Sequence, residues 1–144
     1  DIIVANSGTN SIGIFLSNMN GTYQDQQIIS TGDQSRPVSV VVCHINHDQY
    51  FDIVVANYLN NNLGIFLGYG NGSFNDQIIV SLDSSHPVFV TFADLNNDNH
   101  TDLLVANDGT HSISIFLGYG DGSFHHQQIY STGYDSFPSY IGIA

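Results

Sequence analysis

The sequence predicts an all-β fold of three repeated four-stranded antiparallel units, each about 50 residues long and shaped as a β-propeller blade. Three observations carry this. All thirteen acidic residues are Asp and the single basic residue is Arg36, so the helix formers Glu and Lys are missing, while Val, Ile, Phe, Tyr and Thr abound. The run Asp1-Ile-Ile-Val-Ala-Asn6 recurs as Asp52-Ile-Val-Val-Ala-Asn57 and Asp102-Leu-Leu-Val-Ala-Asn107, at spacings of 51 and 50 residues. Between the apolar runs lie clusters of Gly, Asn, Asp and Ser, which end strands by accepting positive φ or by bonding their own backbone.

Each unit reads as four short strands. In the copy that starts near Val88, strand one is Val88 to Ala93, followed by an acidic loop. Strand two is Asp102 to Ala106, strand three Ser112 to Leu117 and strand four His126 to Ser131. Strands one and two are almost continuously apolar, as strands buried on both faces must be. Strand three recurs as Ser11-Ile-Gly-Ile-Phe-Leu16, Asn62-Leu-Gly-Ile-Phe-Leu67 and Ser112-Ile-Ser-Ile-Phe-Leu117. The turn before it, Asn107-Asp-Gly-Thr, has hairpin chemistry. A glycine-rich turn then leads to strand four, whose Gln127 and Gln128 suit an outer edge. Arg36-Pro37, His86-Pro87 and Phe137-Pro138 introduce the next β-rich run.

The chain is thus a single repeat domain, 1–144, with units of approximately 1–36, 37–86 and 87–136, and 137–144 starting the next blade. This phase implies twelve strands, whose terminal pieces are expected to complete one another as a split blade. Three blades are fewer than the roughly four to eight of known propellers. The repeats are therefore expected to belong to a larger propeller or to assemble with copies of themselves, two copies making a six-bladed ring. An open linear stack of sheets shares the same local logic. A β-sandwich would not need so regular a repeat.

Composition excludes several functions. A net charge of −12 repels nucleic acid and anionic membranes. No apolar run approaches the roughly 20 residues that span a bilayer, so no membrane insertion is expected. Cys43, the only cysteine, lies in an apolar run and is expected to be buried. The absence of an initiator Met and of a signal peptide suggests a mature or excised piece of something longer.

The acidic loop places Asp94, Asn96, Asp98 and Asp102 at positions 1, 3, 5 and 9, with the carbonyl of His100 at position 7. Alternate hard oxygen donors in a tight loop are what Ca²⁺ prefers. The start resembles an EF-hand loop, but Val105 stands where the closing Glu belongs and β-like sequence follows. The competing reading is a plain Asx-rich turn; the fourth carboxylate and the strand behind it favour the metal. The preceding copy offers Asn46, Asp48, the Tyr50 carbonyl and Asp52, with His44 at position 1. Imidazole is a poor Ca²⁺ ligand, so this second metal loop is expected to be weak or empty.

At these residues the chain resembles the FG-GAP/VCBS repeat, the blade of integrin α-subunit-type propellers and of many surface proteins. The pattern is D-x-N-x-D-x-x-x-D-φ-φ-V-A-N followed by φ-x-I-F-L-G-x-G-[DN]-G-[ST]-F. The resemblance places the family's calcium ligands on Asp94, Asn96, Asp98, the His100 carbonyl and Asp102. The family usually has Gly where this chain has Asn99, the residue type next best suited to a left-handed turn.

The remaining residues point away from catalysis. The seven His are scattered without metal spacing, and no nucleophile elbow accompanies the repeated Ser residues. Tyr23, Tyr69, Tyr119, Phe74 and Phe124 recur in register and are expected to pack between blades. Asn20 and Asn71 are candidate N-glycosylation sites in a repeated turn; the sequon at Asn99 would crowd the acidic loop. The resulting expectation is a non-enzymatic, extracellular, calcium-binding module for adhesion or recognition, its ligand a protein or carbohydrate. The alternative is a structural building block that assembles into a fibre or surface layer.

Overall fold

The computed structural model describes residues 1–83 and 85–144. Among these residues the regular structure is eleven strands. They are β1 (Ile2–Asn6), β2 (Ser11–Phe15), β3 (Gln27–Ser30), β4 (Pro37–Cys43), β5 (Asp52–Asn57), β6 (Asn62–Phe66), β7 (Ile78–Ser81), β8 (Pro87–Ala93), β9 (Asp102–Asn107), β10 (Ser112–Phe116) and β11 (Gln128–Ser131). They form three antiparallel sheets in simple meander order: β1-β2-β3, β4-β5-β6-β7 and β8-β9-β10-β11. The two four-stranded sheets share one register. Val40 lies opposite Val55 as Val90 lies opposite Val105, and both first strands carry an irregularity just after the proline.

The middle strand β5 shows why the sequence stacks. Its Ile53 and Val55 pack with Ile12 and Ile14 of the first blade. Its Val54 and Ala56 pack with Leu103 and Val105 of the third. The two-residue period sends alternate side chains to opposite faces, and both faces are covered. Burying each such side chain contributes about 1.5–3 kcal/mol, so the junctions between blades are the core. Strands four lie at the outer edge: β3, β7 and β11 are largely exposed.

β1 packs beside β4, and β4 beside β8, so the blades follow one another with the second in the middle. At the second junction Ile45, 2% exposed, closes the loop end of the core. At the first junction a cavity of about 410 Å³ lies between the blades, lined by Asp1, Ile3, Leu16, Val41 and Phe74 among others.

Three expectations need correction. Residues 137–144 form no strand, and the first sheet keeps three strands. The expected closure fails because the first and third blades flank the second, which separates the tail from β1. Strand four begins at Gln128 rather than His126. Of the recurring aromatics, Phe74 and Phe124 do pack against the cores. Tyr23, Tyr69 and Tyr119 are about half exposed, at 48, 57 and 53%. Tyr119 instead stacks on His125, with ring centroids 3.9 Å apart.

Candidate functional site: the loops between strands one and two

Each loop stands on a buried carboxylate at the start of strand two. Asp102, fully buried, accepts hydrogen bonds from the amides of Leu95 at 2.7 Å and Gly118 at 2.8 Å. Asp52 does the same with Ile45 at 2.7 Å and Gly68 at 2.9 Å. In the first blade Asp1 accepts from the amide of Ser17 at 2.7 Å. The carboxylate therefore ties the loop to the end of strand three. Gly is required at 68 and 118, because a Cβ there would collide with the carbonyls of Phe51 and Thr101. This tie was not read from the sequence, although the repeated pairing of Asp with a residue sixteen positions on was its signal.

Above Asp102 the loop 94–102 folds round its own amides. Asp98 N–H donates to both Asp94 Oδ1 and Asn96 Oδ1, each at 3.2 Å, which brings those two oxygens together. Asn99 N–H donates to Asp94 Oδ2 at 2.9 Å, and Asn99 takes the left-handed conformation, φ 65°. Asp98 accepts from His100 N–H at 2.8 Å and from Asn96 Nδ2 at 2.8 Å. The His100 amide is the main reason the exposed Asp98 carboxyl is held below its ordinary range, with Asn96 adding to it. The structure thus brings together Asp94, Asn96 and Asp98, while Asp102 lies at the base with its oxygens turned to backbone amides. Among the described residues no three His, Cys or Asp side chains converge as a metal would need. The donor set of the loop is a mixed one, of carboxylate, amide and carbonyl oxygens. All are hard donors, and their chemistry fits Ca²⁺.

The loop 44–52 keeps part of this pattern. Asp48 N–H donates to Asn46 Oδ1 at 3.3 Å, Asn46 Nδ2 to Asp48 at 2.8 Å, and Tyr50 N–H to Asp48 at 2.7 Å. The difference is His44. Its Nδ1 lies 2.7 Å from the carbonyl oxygen of Tyr50, the atom that corresponds to the His100 carbonyl. With the proton on Nδ1 the imidazole donates, and position 1 bonds position 7 directly. Asp94 is acceptor-only and cannot make that bond to His100. Gln49, at the place of Asn99, does not adopt positive φ.

The loops also touch each other. Thr101 Oγ1 donates to the His44 carbonyl at 2.5 Å, and His47 Nε2 lies 2.5 Å from His100 Nδ1. Three of the seven His residues therefore serve the loops, which the sequence reading missed. Cys43, just before the second loop, is buried as expected. Burial, with the Asp52 carboxylate beside it, pushes its thiol up to about 12. In the repeated turns, Asn20 Oδ1 accepts from Thr22 N–H at 3.1 Å and Asn71 Oδ1 from Ser73 N–H at 3.0 Å. Asp121 accepts from Ser123 in the same way at 2.9 Å, so these turns need a side-chain oxygen, which Asn and Asp both supply.

A model of the FG-GAP-like repeat family matches residues 44–105 and 94–144, two overlapping stretches that cover more than half of the chain. Each match begins at position 1 of an acidic loop, His44 or Asp94. No curated protein and no solved structure matches significantly. No helix is long and apolar enough to cross a membrane among the described residues. The repeat period, the blade architecture and the family match agree: this chain belongs to the FG-GAP-like repeat family.

Proposed function

We propose that the chain is a non-enzymatic, calcium-stiffened repeat module of an extracellular protein, used for adhesion or recognition of a protein or carbohydrate. The observation that carries the reading is the difference at position 1. Loop 44–52 closes on itself through His44, whereas loop 94–102 presents Asp94, Asn96, Asp98 and an uncapped His100 carbonyl. Those groups, with Asp102 at the base, would hold Ca²⁺; when bound, the ion supplies the cross-link that His44 supplies in the preceding blade. Asp94 and Asn96 orient through the Asp98 amide, and Asn99 keeps the turn tight. An affinity in the class of extracellular modules, Kd of roughly 10⁻⁴–10⁻³ M, would suit such a loop.

Catalysis has little support. The strongest cluster of ionisable groups is the loop itself, whose carboxylates are engaged with backbone amides, and the one thiol is inert. Thermal unfolding in Ca²⁺ and in excess chelator tests the proposal. A rise in Tm with Ca²⁺ that Asp98→Ala abolishes supports it; identical transitions reject it. The building-block alternative is favoured by one observation, the exposed apolar face of the first blade, where Ile2 is 44% and Val4 37% exposed.

A further inference from the structure

We infer that residues 138–144 of one copy add to the free edge of β1 in a second copy, completing its three-stranded first sheet and joining copies head to tail. The inference goes beyond the calcium reading and stands or falls without it.

The acceptor is an incomplete blade. In the second and third sheets strand two is flanked on both sides, β5 by β4 and β9 by β8. β1 has β2 on one side and no described strand on the other. An open edge offers unpaired N–H and C=O groups to an extended segment. The face of this sheet turned away from the second blade is open as well. Ile2 and Val4 are 44% and 37% exposed, while their counterparts Ile53, Val55, Leu103 and Val105 are all 0% exposed.

The donor is preformed. The turn before it repeats the turn that feeds β4. Ser136 N–H bonds the Gly133 carbonyl at 3.3 Å, as Ser35 N–H bonds Gly32. Thr132 and Ser136 hydroxyls are 2.6 Å apart, as Thr31 and Ser35 are 2.7 Å apart. Phe137 has φ 42°, matching Arg36 and His86 at 48°. Beyond the turn, Tyr140 stacks on Phe89 with ring centroids 4.4 Å apart. In the preceding junction the corresponding place is where Val90 N–H bonds Ser39 Oγ at 3.2 Å. The tail thus runs beside β8 as β8 runs beside β4, yet it has no strand to pair with.

The register follows from the two complete blades, which agree with each other. Carried over, it sets Tyr140 opposite Ala5, Ile141 opposite Val4, Gly142 opposite Ile3 and Ile143 opposite Ile2. The third blade of the donor copy then covers the open face of the acceptor's first blade, continuing the junctions already inside the chain. Such a contact is heterologous: it closes into a ring or runs on as a filament.

Light scattering on the 144-residue chain over a concentration series tests this, together with two variants. Val90 N–H points to Ser39 and away from β9, so alternation turns the next N–H, at Thr91, toward β9. Gly142 holds that place in the tail, and a Cβ there meets nothing within 4 Å in the single chain. Gly142→Pro removes one ladder donor and leaves the blades intact. The expected result is a mass of two chains or more for the parent, falling to one chain for Gly142→Pro with an unchanged circular-dichroism spectrum. The second variant is Ile2→Cys with Ile143→Cys, a non-hydrogen-bonded pair whose side chains approach closely. Oxidation should give disulfide-linked multimers, and Ile2→Cys with Ile141→Cys, out of register, should not. A monomeric parent, an assembly that survives Gly142→Pro, or an intrachain Ile2–Ile143 link would overturn the inference.

Discussion

Loops 44–52 and 94–102 occupy the same place in consecutive blades and stand on the same buried carboxylate, yet they are closed by different chemistry. In the first, a neutral ring at position 1 donates to the carbonyl at position 7, and the loop needs nothing else. In the second, a carboxylate at position 1 gathers backbone amides and cannot reach that carbonyl. Their surroundings differ too: Ile45 is 2% exposed and part of a core, while Leu95, its counterpart, is 37% exposed. One residue thus turns a self-closed loop into one that gains from a cation. The fold needs the carboxylate of Asp52 or Asp102; the metal, on the reading proposed above, needs what sits above it.

The largest effects should come from the shared base. Asp52→Ala and Asp102→Ala each strip two buried amides of their acceptor and are expected to cost about 2–5 kcal/mol in urea unfolding. The comparison sharpens if the loss at Asp102 is greater in Ca²⁺ than in chelator while the loss at Asp52 is the same in both. Next comes Asp98→Ala, which should remove the Ca²⁺-dependent stabilisation. That increment is about 2.7 kcal/mol at an ion concentration a hundredfold above Kd. In chelator the same variant should change stability by less than about 1 kcal/mol, the worth of one exposed hydrogen bond. Asp48→Ala should show no calcium-dependent part, and finding one would break the contrast.

A smaller effect with more to teach is expected from His44→Asp. It removes the bond to Tyr50, costing about 1 kcal/mol in chelator, and it restores an acceptor at position 1. Calorimetry should then register a second ion. The smallest effect concerns Cys43. A folded-state thiol raised from 9.0 to about 12 ionises later than in the unfolded chain. Stability from this group is therefore intact below pH 9 and falls as pH rises from 9 toward 12. Alkylation at neutral pH should fail on the native chain and succeed once it is unfolded.

Much of the fold was legible because three copies of one unit report the same strands three times. Alternation along Asp52–Asn57 already implied cover on both faces, and the chain supplies it. The acidic loop was legible from its spacing, as was Asn99 in the left-handed region. What escaped depends on contacts that close only in three dimensions. The bond from His44 to Tyr50 spans six residues and exists only because the loop doubles back; in sequence, His44 reads as a missing ligand. Asp102 reads as a ligand, whereas its oxygens face the amides of Leu95 and Gly118. The tyrosines in the glycine turns recur because the turn recurs, and their rings face outward. The last eight residues carry a strand pattern, but a strand exists only where a neighbour accepts its hydrogen bonds.

Calcium titration by isothermal calorimetry on the unmodified chain tests the central contrast most directly. Binding of one ion per chain, lost in Asp98→Ala and retained in Asp48→Ala, is the result expected. Two ions per chain would mean that His44 does not close its loop against the metal. No binding at millimolar Ca²⁺ would mean that loop 94–102 is a hydrogen-bonded turn like its neighbour, and the calcium reading would fall.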